Sequence, residues 1–207
     1  MHNKTPDIKI QMKNSRLFVI SGPSGVGKDA VFRYLKTLTK NWYFVITVTT
    51  RAPREDETNG VDYVFVDTEE FSSLKQSGKL LEFAPVYGNW YGTPREPIEI
   101  ALSKGMDVLM KTDVQGASTI KQLIPESVMI FLTPPSMDEL SRRLFLRQSE
   151  SKEALRIRIE AAENEMSSID DFDYSVVNET GRLDLAGQYI EAIIMSEKNS
   201  ISVDKND

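Results

Sequence analysis

The chain has no cysteine, and its 207 residues include a single histidine, His2. Without a thiol there is no disulfide, no thiolate nucleophile and no Cys-ligated metal. With one histidine in a polar leader, imidazole catalysis and a His-built zinc site are excluded as well. Surplus positive charge is also missing. The 25 Lys and Arg against 31 Asp and Glu leave a net charge of -6, which argues against a general nucleic-acid binder, whose non-specific affinity rests on excess basic residues. No apolar run approaches the ~20 residues of a membrane span, and the leader, with Lys4, Lys9 and Lys13, has no apolar stretch of signal-peptide length. These absences predict a cytoplasmic chain with neither a membrane nor a nucleic acid as partner. At 40% hydrophobic content it can bury a sizeable core, and its length favours one domain carrying mobile subdomains.

What is present is concentrated at residues 22–30, GPSGVGKDA, directly after the apolar run Leu17-Phe18-Val19-Ile20. A strand that stops in a glycine-rich turn and restarts as a helix aims consecutive N–H groups and the positive helix end into one hollow, which suits phosphate. Gly22, Gly25 and Gly27 permit the close approach, and Lys28 reaches the outer phosphates of a nucleotide. The GxxxxGK spacing is that of a Walker A loop, so Gly22, Pro23, Ser24, Gly25, Val26, Gly27, Lys28, Asp29 and Ala30 are the expected nucleotide-binding residues. The usual hydroxyl after the lysine is replaced by Asp29. That carboxylate can either ligate Mg²⁺ or cap the helix.

Periodicity predicts an α/β chain: strands at 16–21 and 43–48, a helix at 27–38, short β pieces at 61–66, 80–86 and 88–92, and a helix at 68–76. The runs Val108-Leu109-Met110 and Val128 to Leu132 read as strands of a parallel sheet, buried on both faces, and a helix opens at Ser136. A last strand is expected at 173–177 and a closing helix at 182–196, with Leu183, Leu185, Tyr189, Ile190, Ile193 and Ile194 on its apolar side. The expected organisation is a core of 16–47 and 97–196, an inserted subdomain over 48–96, and flexible tails at 1–15 and 197–207. For most charges between Asp138 and Glu165 the spacing predicts a solvated helix pair laced with i,i+4 ion pairs.

A second anion site is predicted at 47–63. Arg51 and Arg54 flank Ala52-Pro53, whose restricted backbone lets two guanidinium groups converge on one anion. Tyr63 and Tyr91 can add phenol donors. At this point GPSGVGK, TTRAPR, NGVDYVFV, LLEFAPVYGNWYGTP, DVQGA and TPPSMDEL follow one another from Arg16 to Glu179 in the order and approximate spacing of the guanylate kinases, which the chain resembles. The resemblance implies a P-loop parallel sheet flanked by helices, a mixed α/β GMP-binding insertion and a helical lid at about 144–160. It also implies transfer of the γ-phosphoryl group of ATP to GMP or dGMP, with Mg²⁺, by a monomer or weak homodimer.

By position, the resemblance makes Arg51, Arg54, Tyr63 and Tyr91 ligands of the GMP phosphate, and Thr47, Glu82 and Asp113 readers of guanine, with Thr93 close by. A carboxylate suits guanine, which presents two N–H donors on one edge. Arg143, Arg147 and Arg158 match positions that approach the triphosphate, and Asn178 one beside the adenine. Lys28, Arg51 and the three lid arginines are the expected catalytic cations. Lys111 departs from the family pattern, which has an acid two positions before the Asp. A period-two strand makes an ion pair with Asp113 feasible, and a phosphate contact is equally open. Two other readings remain at this stage: a ribose bisphosphokinase-like enzyme, whose P-loop can also read GKD, and a guanylate-kinase-like module that only binds proteins.

Overall fold

The computed structural model describes residues 14–146 and 152–203. In chain order the strands are β1 (Leu17–Ser21), β2 (Trp42–Phe44), β3 (Thr47–Thr49), β4 (Tyr63–Phe65), β5 (Leu80–Val86), β6 (Asn89–Pro94), β7 (Asp107–Lys111), β8 (Val128–Thr133) and β9 (Tyr174–Val177). The helices are α1 (Lys28–Thr37), α2 (Thr68–Gln76), α3 (Arg95–Ser103), α4 (Val114–Leu123), α5 (Met137–Leu146), α6 (Lys152–Met166) and α7 (Leu183–Val203). Five strands form a parallel sheet in the order β2-β7-β1-β8-β9, and four form a smaller mixed sheet in the order β4-β3-β6-β5.

β1 is the centre of the larger sheet, and every one of its residues is buried, as a strand covered by helices on both faces requires. Its alternation feeds two cores. Phe18 and Ile20 join Val31, Leu35 and Ile190 on one face, while Leu17 and Val19 join Ile98, Leu102 and Ile120 on the other. The smaller sheet has a modest core of its own, Val48, Phe71 and Leu80, with Trp90 stacked on Phe71 at 5.9 Å.

Several sequence expectations change here. The single strand expected at 43–48 is two strands in two different sheets: the Val45 N–H still donates to the Leu109 carbonyl at 2.9 Å, and by Val48 the chain pairs with Gly92. Val45 and Val48 are equally apolar and only Thr47 lies between Ile46 and Val48 to interrupt the run, so little that is local marks the change of partner. The closing helix does not end at 196 but runs to Val203. Its continuation is anchored, with Glu197 paired to Arg16 and accepting from the Tyr174 hydroxyl at 2.6 Å. Lys198 donates to Asp107 at 2.8 Å. The segment expected as a C-terminal tail is thus helical as far as Val203, and 204–207 lie outside the described residues. At the other end Ser15 is buried and donates to the Leu102 carbonyl at 3.0 Å, while 1–13, His2 included, lie outside the description. Of the residues expected on the apolar side of α7, Ile190 and Ile194 are fully buried, together with Ala186, whereas Tyr189 is 60% exposed. Among the described residues no helix is long and apolar enough to cross a membrane.

Candidate active site

A cleft of about 220 Å³ opens between the two sheets, lined on one side by the β1–α1 loop and on the other by Arg51, Arg54, Tyr63 and Tyr91. The loop side is built from main chain. Gly22 has φ of 138° and Gly27 of 103°, a region that L side chains rarely adopt, and a methyl on Gly22 would lie 2.3 Å from the Leu132 carbonyl oxygen. The Lys28 ammonium folds back on the loop, donating to the Gly22 carbonyl and to that of Pro23 at 3.2 Å. The Ser24 N–H, which belongs to the anion hollow, donates to Glu165 at 3.0 Å, and Arg158 donates to the Ser24 hydroxyl at 2.9 Å. Burial pushes the Glu165 carboxyl above its ordinary value, against the pull of Lys28 and the Ser24 N–H.

The opposite side is built from side chains. Arg51 donates through Nε to the Tyr91 hydroxyl at 3.1 Å, through Nη1 to the Ala52 carbonyl at 2.6 Å, and through Nη2 to both oxygens of Glu57 at 2.8 and 2.9 Å. Glu57, whose side chain is only 2% exposed, also accepts from the Arg54 N–H at 2.8 Å and from its guanidinium at 3.3 Å. Two guanidinium groups that would otherwise repel are therefore held side by side on one carboxylate. Burial alone would lower the Arg51 pKa, but the bonds to Glu57 and Tyr91 outweigh it and raise it.

Asp29 joins the two sides. Its Oδ1 pairs with the Lys111 ammonium and accepts from the Tyr63 hydroxyl at 3.0 Å. Burial alone would lift this carboxyl, yet Lys111 and Tyr63 hold it at about 2. This bears on a reading that the sequence left open. Lys111 pairs with Asp29 and not with Asp113, because β7 ends at Lys111 and Asp113 instead caps α4, accepting from the Gln115 and Gly116 N–H groups at 2.8 and 3.0 Å. Asp29 is thus engaged through Oδ1 by an ammonium and a phenol. Among the described residues no three His, Cys, Asp or Glu side chains cluster as metal ligands would.

The remaining expected residues divide. Thr47 and Asp113 line the cleft, as do Ser24, Gly25, Gly27, Lys28 and Arg158. Glu82 is buried behind it, accepting from the Thr93 hydroxyl at 2.6 Å. Burial lifts the Glu82 carboxyl to about 7, against the Thr93 bond and helped by the charge of Asp113. Pro23 supplies a carbonyl to Lys28, and Val26 is sealed in the core. Gly22 and Ala30 stay off the cleft wall.

Asn178 and Arg143 do not line this cleft. The Asn178 amide donates to the Val26 carbonyl at 2.7 Å, and Arg143 donates to that carbonyl at 3.3 Å, to the Asn178 carbonyl and the Thr180 hydroxyl at 3.0 Å each, and to Glu139 at 2.8 Å. Both brace the loop from behind instead of lining the cleft. Arg147 lies outside the described residues. The sequence reading did not single out Glu57 or Glu165 as site residues. Glu57 could have been found from its place three residues after Arg54, whereas Glu165 is one acid among many on a charged helix.

The comparisons agree with this architecture. The family model described as Guanylate kinase matches residues 14–197. The chain is 41% identical over 186 residues to "Guanylate kinase 2, chloroplastic/mitochondrial" of Oryza sativa subsp. japonica, covering 89% of this chain and about two thirds, 65%, of that longer protein. It is 40% identical to the guanylate kinase of Clostridioides difficile over 94% of both chains, and 49% identical to a guanylate kinase of Thermus thermophilus over 79% of this chain and 74% of the other. The crystal structure of guanylate kinase from Anaplasma phagocytophilum superposes with a TM-score of 0.75 at 35% identity, covering 89% of this chain and 86% of that one. A match that runs the length of both sheets, with a cleft between a P-loop and an arginine pair, makes this chain a member of the guanylate kinase family.

Proposed function

We propose that the protein transfers the γ-phosphoryl group of ATP to GMP, with the P-loop as donor site and the smaller sheet as acceptor site. The observation that carries this reading is the pairing of two anion sites of different construction across one cleft, Ser24 N–H with Lys28 and Arg158 on one wall and Arg51 with Arg54 and Tyr91 on the other. A bare phosphate-binding enzyme needs only the first.

On this reading an oxygen of the GMP phosphate attacks the γ-phosphorus of ATP, the bond from that phosphorus to the β–γ bridging oxygen breaks, and ADP leaves as GMP becomes GDP. The attacking oxygen is ionised at neutral pH, since the second phosphate pKa is about 6. No side chain has to remove a proton, which accords with a site that has neither histidine nor cysteine. The protein's task is positioning and charge compensation. Arg51 and Arg54, aligned by Glu57, receive the acceptor phosphate together with Tyr91 and Tyr63. Lys28 and Arg158 meet the triphosphate, and Glu82, Thr93, Thr47 and Asp113 read the guanine edge. Mg²⁺ belongs, on this proposal, to the triphosphate and its water shell.

A coupled assay of ADP release over GMP, dGMP, AMP and ribose 1,5-bisphosphate tests the reading. Turnover with GMP and dGMP and little with AMP is expected. Preferential turnover of ribose 1,5-bisphosphate would replace it with sugar-phosphate kinase chemistry, and a folded protein with no turnover would leave a binding module.

A further inference from the structure

The cleft holds one cation that the function above does not use. Lys111 stands at the end of β7, opposite Ile20 of β1, and is 7% exposed, yet it lines the cleft. Its ammonium pairs with Asp29 and lies 4.1 Å from the centre of the Tyr63 ring and 5.7 Å from that of Phe32. Asp29 is the residue after Lys28, and the Tyr63 ring also carries Arg51 at 5.4 Å. Lys111 is therefore in contact with a residue of each anion site, at the junction between them.

P-loop enzymes commonly hold Mg²⁺ with a hydroxyl after the lysine and a carboxylate at a neighbouring strand end. Here the first position is a carboxylate, Asp29, and the neighbouring strand ends in an ammonium, and the two neutralise each other. The Asp29 carboxylate balances the ammonium while the cleft is empty, and Lys111 shares that cleft with Lys28, Arg51, Arg54 and Arg158, so its charge adds to the field that an entering polyanion meets.

The geometry points to Lys111 as a phosphate-directed cation of the cleft, positioned by Asp29 and Tyr63 to meet negative charge between the donor and acceptor phosphates. The inference rests on the assignment of those two sites to ATP and GMP.

The test is calorimetric binding, in EDTA, of an adenosine–guanosine pentaphosphate that spans both sites, beside guanosine, which has no phosphate. Lys111→Met is expected to weaken the pentaphosphate about 10- to 100-fold, the range for one lost charge-assisted hydrogen bond, and to leave guanosine within about twofold. Lys111→Arg, which keeps the charge, is expected to stay within about fivefold of wild type for both ligands. Should Lys111→Met fail to fold because Asp29 is left unpaired, Asp29→Ser/Lys111→Met removes both charges and is expected to show the same selective loss. Unchanged pentaphosphate affinity in the folded variant, or equal weakening of both ligands, would overturn the inference. If the wild-type chain binds neither ligand, the assignment of the cleft falls, and this inference with it.

Discussion

On the proposed function, the two walls of the cleft hold anions by different means. On the P-loop wall the receiving groups are main-chain N–H groups fixed by Gly22 and Gly27, and the loop is braced from behind by Asn178 and Arg143 on the Val26 carbonyl. On the facing wall the receiving groups are side chains, and what holds them is another side chain, Glu57. A main-chain site tolerates most substitutions of its own residues except those that alter the backbone, such as a methyl at Gly22 pressed against Leu132. A side-chain site can be taken apart one residue at a time. The walls should therefore respond differently to single mutations.

The largest effect is expected at the lysine of the main-chain wall. Lys28→Ala leaves the hollow intact and removes the charge that follows the transferring group, so kcat should fall by at least ~100-fold, the scale of one preorganised electrostatic contact. The KM for GMP, which depends on the other wall, should change little. Steady-state kinetics with both substrates varied checks this, and a loss confined to KM would mean that Lys28 binds substrate without favouring the transition state.

The facing wall is probed through its scaffold. Glu57→Gln keeps the shape and one acceptor but removes the charge that aligns Arg51 and Arg54, and the KM for GMP should rise about tenfold, the value of a charge-assisted hydrogen bond. A fall in KM would instead make Glu57 a competitor for the arginines, displaced by the incoming phosphate. The same kinetics therefore decide whether this carboxylate organises the acceptor site or guards it.

How far the sequence carried this reading depends on whether a feature is local. The P-loop was legible because its glycine spacing and flanking strand are contiguous, and the buried strands β7 and β8 because their apolar runs are unbroken. The division of 43–48 between two sheets was not, since Val45 and Val48 are equally apolar and differ only in partner. Arg143 and Asn178 matched family positions, but their partner, the Val26 carbonyl, is set by tertiary packing. The Asp29–Lys111 pair joins residues 82 positions apart. Sequence showed that both residues depart from the family pattern, and only the fold showed that the two departures are one. Glu165 was hidden by the opposite problem, an abundance of acids with nothing in their spacing to mark which would be turned inward, whereas Glu57 stood three residues after Arg54 and was overlooked.

The smallest effect sharpens the comparison with pH. Glu82 stands behind the side-chain wall, bonded to Thr93, with Asp113 the nearest like charge and Thr112 a second hydroxyl donor. Its carboxyl is lifted to about 7 by burial and by Asp113, whereas accepting two N–H groups from guanine requires the ionised form. The direction follows: as pH falls through 7 the free site takes up a proton that guanine must expel, so GMP binds more weakly at lower pH. With a single group of that pKa, the ionised fraction drops about fourfold between pH 8 and 6.5, and the KM for GMP should rise by about that factor. The GMP phosphate also titrates near 6, so Glu82→Gln supplies the reference. It binds more weakly throughout, and the part of the slope that belongs to Glu82 should vanish from its profile. An unchanged slope in that variant would assign the pH dependence to the phosphate and the arginine wall, leaving Glu82 ionised across the whole range. The ATP side has titrating groups of its own, the Glu165 carboxyl on the Ser24 N–H and the terminal phosphate of ATP, so any change of its KM over the same interval should be the same in the wild type and in Glu82→Gln.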